Sequence, residues 1–513
     1  MPDPSDVPPI PPETEPSEAP PPEAAPPGAT GAALGAPRFR APDTTLIIFA
    51  IIVLAAVLTW IVPPGEFTRE EIEVEGAGTR EVVVPGSFRS VERPQASVGA
   101  RLVGTVVDVF QAPIRGIVDS DAAPIIAFVL LVGGAFGILT ATGAVEAGLR
   151  RTVRAAERNP LVGVAVIPLF MVLFSLGGAV FGMAEETIPF VLIFVPLALA
   201  LGYDSLTGAA IPFLGSAAGF AAAFLNPFTV GVAQGIAGVP LFSGADFRIG
   251  LWVVTTGAVT AFVMWHAARV RRDPTRSPVY ALDQTRRAEA SPEAALDARF
   301  TGEQIATLVV FALGIGVLVF GVLSYGWYIT EIAALFVALG VAMAVAGRLA
   351  PNRAAGAFME GVKDLAPTAI IIGLARGILV ILEGGQTIDP VLNAVAGALE
   401  GTGATLSAMA MFGAQTALNF FVPSGSGQAA LTMPLMAPLA DLVGVSRQTA
   451  VLAFQMGDGF TNMVIPTNAV LMGALSLAGV PWPAWARWVL PLQVALFALG
   501  LVALAVAVAV GFA

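Results

Sequence analysis

Long apolar runs dominate the chain, at about 44–62, 122–142, 160–176, 187–202, 205–240, 247–267, 303–323, 328–347, 361–383, 404–421, 428–443, 448–480 and 486–510. Many are long enough to cross a hydrocarbon core of roughly 30 Å as helices. Two places break the pattern with polar, glycine-rich blocks. NFFVPSGSGQAALTMPLMAPLADLVG fills 419–444, and FSLGGAVFGMAEETIPFVLIFVPLALALGYD fills 174–204. A polar tip between apolar arms is tolerated at membrane depth only where backbone is buried in protein or lines a watery cavity. Interrupted apolar segments in corresponding positions of two halves point to a transporter's binding site.

The pattern predicts an all-α polytopic membrane protein. It has about nine full crossings plus two re-entrant hairpins, 160–202 and 404–443. The hairpins are inferred from short arms and polar tips, since two full spans each would return the chain to the same side equally well. The composition agrees, with 56% hydrophobic and 12% charged residues. There is no cysteine, so disulfides, thiol catalysis and thiolate metal sites are excluded. With one histidine besides, a catalytic metal is not expected, and sodium is the one metal ion this reading admits. Lys363 is the only lysine and Asp364 follows it, so a phosphate-binding loop ending in Lys-Ser/Thr cannot occur, which disfavours ATP-driven transport by this chain alone. Residues 1–43 are rich in proline and acidic side chains and read as a disordered tail, not a cleaved signal peptide. Arg38 and Arg40 precede the first span as in a signal anchor. The net charge of −11 is inflated by this tail, and no nucleic-acid partner or cofactor is expected.

Arginine placement orients the spans. Arg150, Arg151, Arg154 and Arg158 follow the second segment, seven arginines fill 268–302, and Arg348, Arg353 and Lys363 flank a later one. These loops should be cytoplasmic, with the N-terminus inside and the C-terminus outside. The 63–121 loop also carries six arginines, but loops of about 60 residues weigh little in this rule.

The two halves overlay. GGAFGILTATG (133–143), the Phe174 block and GFAAAFLNPFTVGVAQGIAGVP (219–240) precede one apolar span. GLARGILVILEGG (373–385), the Asn419 block and GDGFTNMVIPTNAVLMGALSLAGVP (457–481) precede another. By the charge rule the copies enter from opposite sides, so they are expected to be inverted repeats with broken helices meeting at the midplane. The expected organisation is the tail (1–43), a first span and long external loop (44–121), the first repeat (122–267), a cytoplasmic loop with two connecting spans (268–360) and the second repeat (361–513).

The candidate substrate site lies at the two tips. In the second, Pro423, Gly425 and Gly427 break the helix while Ser424, Ser426 and Gln428 supply polar groups. A half-helix beginning at Gln428 would present free N–H groups and a positive dipole end to a carboxylate. The first tip offers Gly177, Gly178, Glu185 and Glu186. Two adjacent carboxylates near apolar surface must be paired, ion-bound or protonated unless the turn reaches water. In the broken spans Asn226 and Thr229, and Asp458, Asn462, Thr467 and Asn468, are candidate ion-coupling residues, because proline frees a carbonyl that Asn and Thr can supplement around a cation. Arg376, deep in its span, can pair with Asp458 or a glutamate, bind an anionic substrate or snorkel outward. His266, beside Arg269, reads as interfacial.

The strings FSLGGAVFGM, VAQGIAGVP, SGSGQAALTMP, AFQMGDGF and TWIVPPGEF resemble the bacterial YfcC family over about residues 40–510. That family lies in a wider group with anaerobic C4-dicarboxylate carriers and the ion-transporter superfamily. The resemblance implies an inner-membrane secondary transporter with inverted repeats and two re-entrant hairpins, whose members are labelled basic amino-acid antiporters or placed with dicarboxylate carriers.

Three acidic candidates against one basic residue tilt the reading toward an amino acid, of the arginine or ornithine type, driven by a proton or sodium gradient or by exchange. The alternative is a C4-dicarboxylate or other organic-anion carrier. A passive channel fits the same architecture less well, and an enzyme lacks an activated nucleophile or metal. The partners expected are the lipid bilayer, a small-molecule substrate and a coupling proton or sodium, and a homodimer is compatible with the sequence.

Overall fold

A computed structural model describes residues 44–74, 78–93, 97–120, 122–289, 300–399 and 403–512. The tail assigned to 1–43 lies outside them. Helix α1 (Thr44–Ile61) leads into two small antiparallel ladders, in which β1 (Gly65–Glu66) pairs with β4 (Arg89–Ser90) and β2 (Arg69–Val74) with β3 (Gly78–Val83). Then come α2 (Val98–Val118), α3 (Ala122–Ala141), α4 (Ala144–Arg158), α5 (Pro160–Phe181) and α6 (Thr187–Ala200). The apolar run at 205–240 is broken into α7 (Ser205–Ala221), a π-helical turn Pro227–Gly231 and α8 (Val232–Ala237), followed by α9 (Ala245–Arg272) and a short α10 (Tyr280–Glu289). Helices α11 (Gly302–Tyr325) and α12 (Ile329–Ala346) connect to α13 (Pro351–Gly384) and α14 (Ile388–Leu399). The remainder is α15 (Ala404–Asn419), α16 (Gly425–Leu442), the broken pair α17 (Arg447–Asn462) and α18 (Ala469–Ala478), and α19 (Trp482–Ala509). Seven described helices are long and apolar enough to cross a membrane, as a polytopic membrane protein requires.

The element order repeats. A long helix, a helix–tip–helix pair, a broken pair and a further long helix occur as α3, α5–α6, α7–α8, α9 and again as α13, α15–α16, α17–α18, α19. The arm α5 runs to Phe181, five residues beyond the apolar run at 160–176, because its Gly-rich end stays helical up to a left-handed Gly182 that closes it.

The segment 63–121, expected to be a long loop, contains the ladders and α2. Arg101, Asp108 and Arg115 lower the hydropathy of α2 below that of a span, while its apolar residues fall on two adjacent stripes. Val109, Ala112 and Gly116 are buried, and Leu102, Val106, Phe110 and Ile114 are exposed. Helices α2 and α3 together form one interrupted rod lying antiparallel on α13. Gly116 meets Gly373 and Gly377, and Gly133 and Gly137 meet Gly361 and Ala357, so closely that an added Cβ would strike backbone. Lipid gives helices no hydrophobic reason to associate, and small residues that let backbones touch supply the attraction instead.

Helix α10 ties several ends together. Its Asp283 accepts from Ser205 N at 2.9 Å, Arg286 donates to Ala478 O at the end of α18, and Arg287 donates to Tyr203 O at the α6–α7 corner. Beside it Asp204, the N-cap of α7, is nearly inaccessible. His266 Nε2 donates to its Oδ2 at 2.8 Å, and Ser277 and Thr207 donate to the same carboxylate. His266 is therefore buried on a carboxylate, because the cap of α7 needs a partner away from solvent. Burial alone would raise the Asp204 carboxyl, but hydrogen bonds from His266, Thr207 and Ser277 outweigh it and hold the carboxyl below its ordinary range.

Asp204→Ala should cost roughly 3–5 kcal/mol, because it strands the buried partners of the carboxylate, read as a lowered melting temperature in detergent. The folded pKa is depressed, so the wild-type contribution is complete above the ordinary Asp value of about 4 and is lost as pH falls through the lowered value. Gly361→Val should cost about 2 kcal/mol or more in the same assay, since neither backbone can retreat without parting α3 from α13.

Candidate functional site

The two tips and the two broken helices converge on one cavity of about 510 Å³. Its lining includes Gly182, Ala184 and Glu185 from the first tip and Pro423, Ser424, Gly425, Ser426 and Gly427 from the second. The breaks contribute Phe228, Thr229, Asn462, Thr467 and Asn468. Arg376 and the start of α3, with Ser120, close another side, and Phe228 and Tyr328 pack ring on ring at 4.7 Å over part of the wall. A second cavity of about 50 Å³ adjoins it, sharing Ala184, Phe220, Asn462, Asn468 and Val470.

Each tip is built by capping. Ser424 takes extended backbone and its hydroxyl accepts from Gly427 N at 3.3 Å, so α16 begins at Gly425 and not at Gln428. Gln428 is one turn further in and fully buried. Its amide donates to Gln415 O at 2.9 Å and to Gln415 Oε1 at 2.7 Å, stapling the two arms and facing away from the cavity. In the first tip the two carboxylates divide. Glu186 folds back to accept from Ala184 N at 3.0 Å, and Glu185 lines the cavity. Gly177 and Gly178 lie within α5; Gly178 packs on the α7 backbone at Ser216 and Phe220, and neither residue lines the cavity.

The breaks are capped by asparagines in matching positions. Asn226 Oδ1 accepts from Phe228 N at 2.9 Å, and Asn468 Oδ1 accepts from Leu471 N at 2.8 Å. The π-helical turn after Asn226 is a geometry that collects at functional sites. Asn462 links the second break together: its Oδ1 accepts from Asn419 at 3.0 Å and from Asn468 at 2.9 Å, and its Nδ2 donates to Asp458 Oδ1 at 3.0 Å. Asn419 Nδ2 also donates to Asp458 O at 2.9 Å.

Asp458 is fully buried behind the cavity wall, and its Oδ2 has no hydrogen-bond partner among the described residues. The same holds for Asn226 Nδ2, Thr229 Oγ1 and Thr467 Oγ1. Thr229 and Asp458 approach each other at Gly425: a Cβ there would collide with the Thr229 methyl and stand 3.3 Å from Phe220 Cζ and 3.4 Å from Asp458 Oδ2. A buried carboxylate oxygen without a protein partner takes a proton, a cation or a water molecule.

Arg376 neither snorkels nor stands alone. Its Nε donates to Asp119 Oδ1 at 2.8 Å, at the corner between α2 and α3. Sequence reasoning missed Asp119, which lies in a stretch read as loop. The one signal was a carboxylate just before the apolar run at 122.

Residues 41–509 match the family described as the C4-dicarboxylate anaerobic carrier, DcuC. The chain is 38% identical over 476 residues to an Escherichia coli (strain K12) protein named "Putative basic amino acid antiporter YfcC", covering 88% of this chain and 93% of that protein. An uncharacterized protein of Haemophilus influenzae is 28% identical over 511 residues, with 92% and 97% covered. Among solved structures, the Alcanivorax borkumensis YdaH transporter aligns with a TM-score of 0.42 and 17% identity, over 92% of this chain and 99% of that one. Neisseria gonorrhoeae MtrF, from a class described as antimetabolite efflux pumps, gives 0.39 and 16%, over 90% and 94%. Scores that low carry no structural inference. The match over 41–509 and the identity to YfcC are decisive: the chain belongs to the C4-dicarboxylate anaerobic carrier family and is a homologue of YfcC, a secondary transporter of the membrane.

Proposed function

We propose that the chain exchanges or co-transports a small amino acid, of the arginine or ornithine type, across the bacterial inner membrane. The observation that carries this reading is the opposition of two kinds of group around one cavity. The Ser424-capped start of α16 offers backbone N–H groups to a substrate carboxylate, and Glu185 supplies the counter-charge for an ammonium or guanidinium. The name of the Escherichia coli relative supports the same class. In this reading the chain forms two inverted repeats, 122–267 and 361–513, with re-entrant hairpins, its N-terminus inside and its C-terminus outside. Asp458, with Asn226, Thr229, Asn462, Thr467 and Asn468 around it, takes the coupling proton or sodium ion, since its free oxygen lies beside Gly425 at the substrate tip. The family description favours a second reading, a C4-dicarboxylate carrier.

Purified protein in liposomes should show saturable counterflow of labelled arginine or ornithine, and movement of succinate without either amino acid would reject the reading. Flux without saturation or exchange would mark a channel. Asp458→Asn should keep substrate binding while uptake stops responding to an imposed proton or sodium gradient; unchanged coupled uptake removes Asp458 from the mechanism. Gly425→Ala should cut transport by about tenfold or more, an effect of about 1.4 kcal/mol that displacement of Thr229 readily reaches.

A further inference from the structure

The string Ala-Gly-Val-Pro occurs at 237–240 and again at 478–481, and it marks the far ends of the two half-helices that asparagines cap beside the cavity. Helix α8 stops at Ala237 and α18 at Ala478, each on a glycine in left-handed backbone, Gly238 and Gly479. In both places an arginine from a distant part of the chain caps the last alanine carbonyl. Arg447 Nη1 donates to Ala237 O at 2.7 Å, and Arg286 Nη1 donates to Ala478 O. A guanidinium suits that end of a helix, where free carbonyls and negative partial charge collect. The glycines also make room. A Cβ on Gly238 would stand 3.3 Å from Arg447 Nη1, and one on Gly479 would strike Arg286.

The two caps lie at opposite ends of the α9–α19 pair. Phe247 at the start of α9 stacks on Phe512, just past the end of α19, and Ser446, next to Arg447, donates to Phe512 O. At the other end His266 meets Trp488 near the start of α19, which begins four residues past Ala478. Each arginine also crosses from one half of the element order to the other. Arg447 opens α17, the first half of the second break, and holds α8, the second half of the first. Arg286 sits on α10, whose Asp283 accepts from Ser205 at the start of α7, and it holds α18.

Arg447 closes a ring around Asp458 and Thr229. Asp458 lies eleven residues along α17 from Arg447, about 16 Å of helix. Thr229 lies in the π-helical turn that runs on into α8. The inner ends meet at Gly425, where an added Cβ would touch the Thr229 methyl and approach Asp458 Oδ2. Helix α8 has six residues, too few to keep its direction unaided, so that direction depends on what fastens its two ends. Asn226 fastens the inner end, and Gly238 with Arg447 the outer. Arg447 also pairs with Asp441 at 2.7 Å, but those side chains are 39% and 49% exposed, so the ion pair contributes little beside the carbonyl cap.

We infer that Arg447 is a positioning residue for the coupling site: by capping Ala237 from the start of α17 it sets where Thr229 stands against Asp458. The inference rests on the coupling role given above to Asp458.

The full chain carries no cysteine, so spin labels on Pro240→Cys and Leu442→Cys, both exposed, report α8 against the corner between α16 and α17. The label distance should be narrowly distributed in the wild-type background, in Asp441→Asn and in Arg447→Lys, which keeps a donor for the carbonyl. It should be broad in Arg447→Met and in the milder Arg447→Gln, whose amide stops short of Ala237 O. In proteoliposomes Arg447→Met and Arg447→Gln should bind labelled arginine within about threefold of wild type. The response of their uptake to an imposed proton or sodium gradient should fall about tenfold, the worth of one charge-assisted hydrogen bond. Asp441→Asn should leave both readings within about twofold. A narrow distance without the guanidinium overturns the inference, as does a gradient response that survives there or that falls only in step with binding. Asp458→Asn, run alongside, separates the two readings. If it leaves the gradient response intact, the coupling role of Asp458 fails, and Arg447 as the holder of α8 is then upheld or overturned by the label distances alone.

Discussion

Everything at the centre of this molecule follows from the need to satisfy free backbone groups where helices stop within a bundle. Three helix starts face the cavity or the groups behind it, and at each a short polar side chain turns back to hold the first N–H groups. Ser424 does this for α16, and Asn226 and Asn468 for the halves after the two breaks. Bonds of this kind let a chain end a helix far from water. The side-chain oxygens that do the capping are committed to it. What remains for a guest are the groups left over: the N–H groups of Gly425 and Ser426, the Glu185 carboxylate, and polar atoms such as Thr229 Oγ1 and Asp458 Oδ2.

The second constraint is closeness. The rod of α2 and α3 rests on α13 through glycines, and the same device recurs where Gly457 of α17 meets Gln415 and Gly459 meets Ala221. Gly457 and Gly459 therefore flank Asp458 for a packing reason. They bring α17 within backbone distance of α15 and α7, which encloses the carboxylate between them. Packing and chemistry are set by the same three residues.

Much of this was legible in the sequence because interruptions demand particular residues. Pro, Gly, Ser and Asn at 226–229, 423–427 and 466–468 cannot pass for continuous apolar helix, and the structure brings all three stretches to one cavity. Less legible were features set by partners distant in the chain. Arg376 and Asp119 are separated by 257 positions, and nothing local to either names the other. Gln428 looked like a ligand because it ends a polar string. Its inward turn is decided by Gln415 on the opposite arm. Helix α2 escaped notice because its three charges offset its apolar stripe, and the glycine contact that anchors it becomes visible only once α13 is beside it.

Helix α10 adds a mechanical condition. Helix α6 begins at the first tip and its far corner is held by Arg287; α18 begins at Asn468 and its far end is held by Arg286. Two adjacent residues on a ten-residue helix thus grip the outer ends of two levers whose inner ends wall the same cavity. Neither lever can swing independently while both grips hold. Any rearrangement that parts the first tip from the second break must move α6 and α18 as one body, or release an arginine that carries no substrate and lies a full helix length from it.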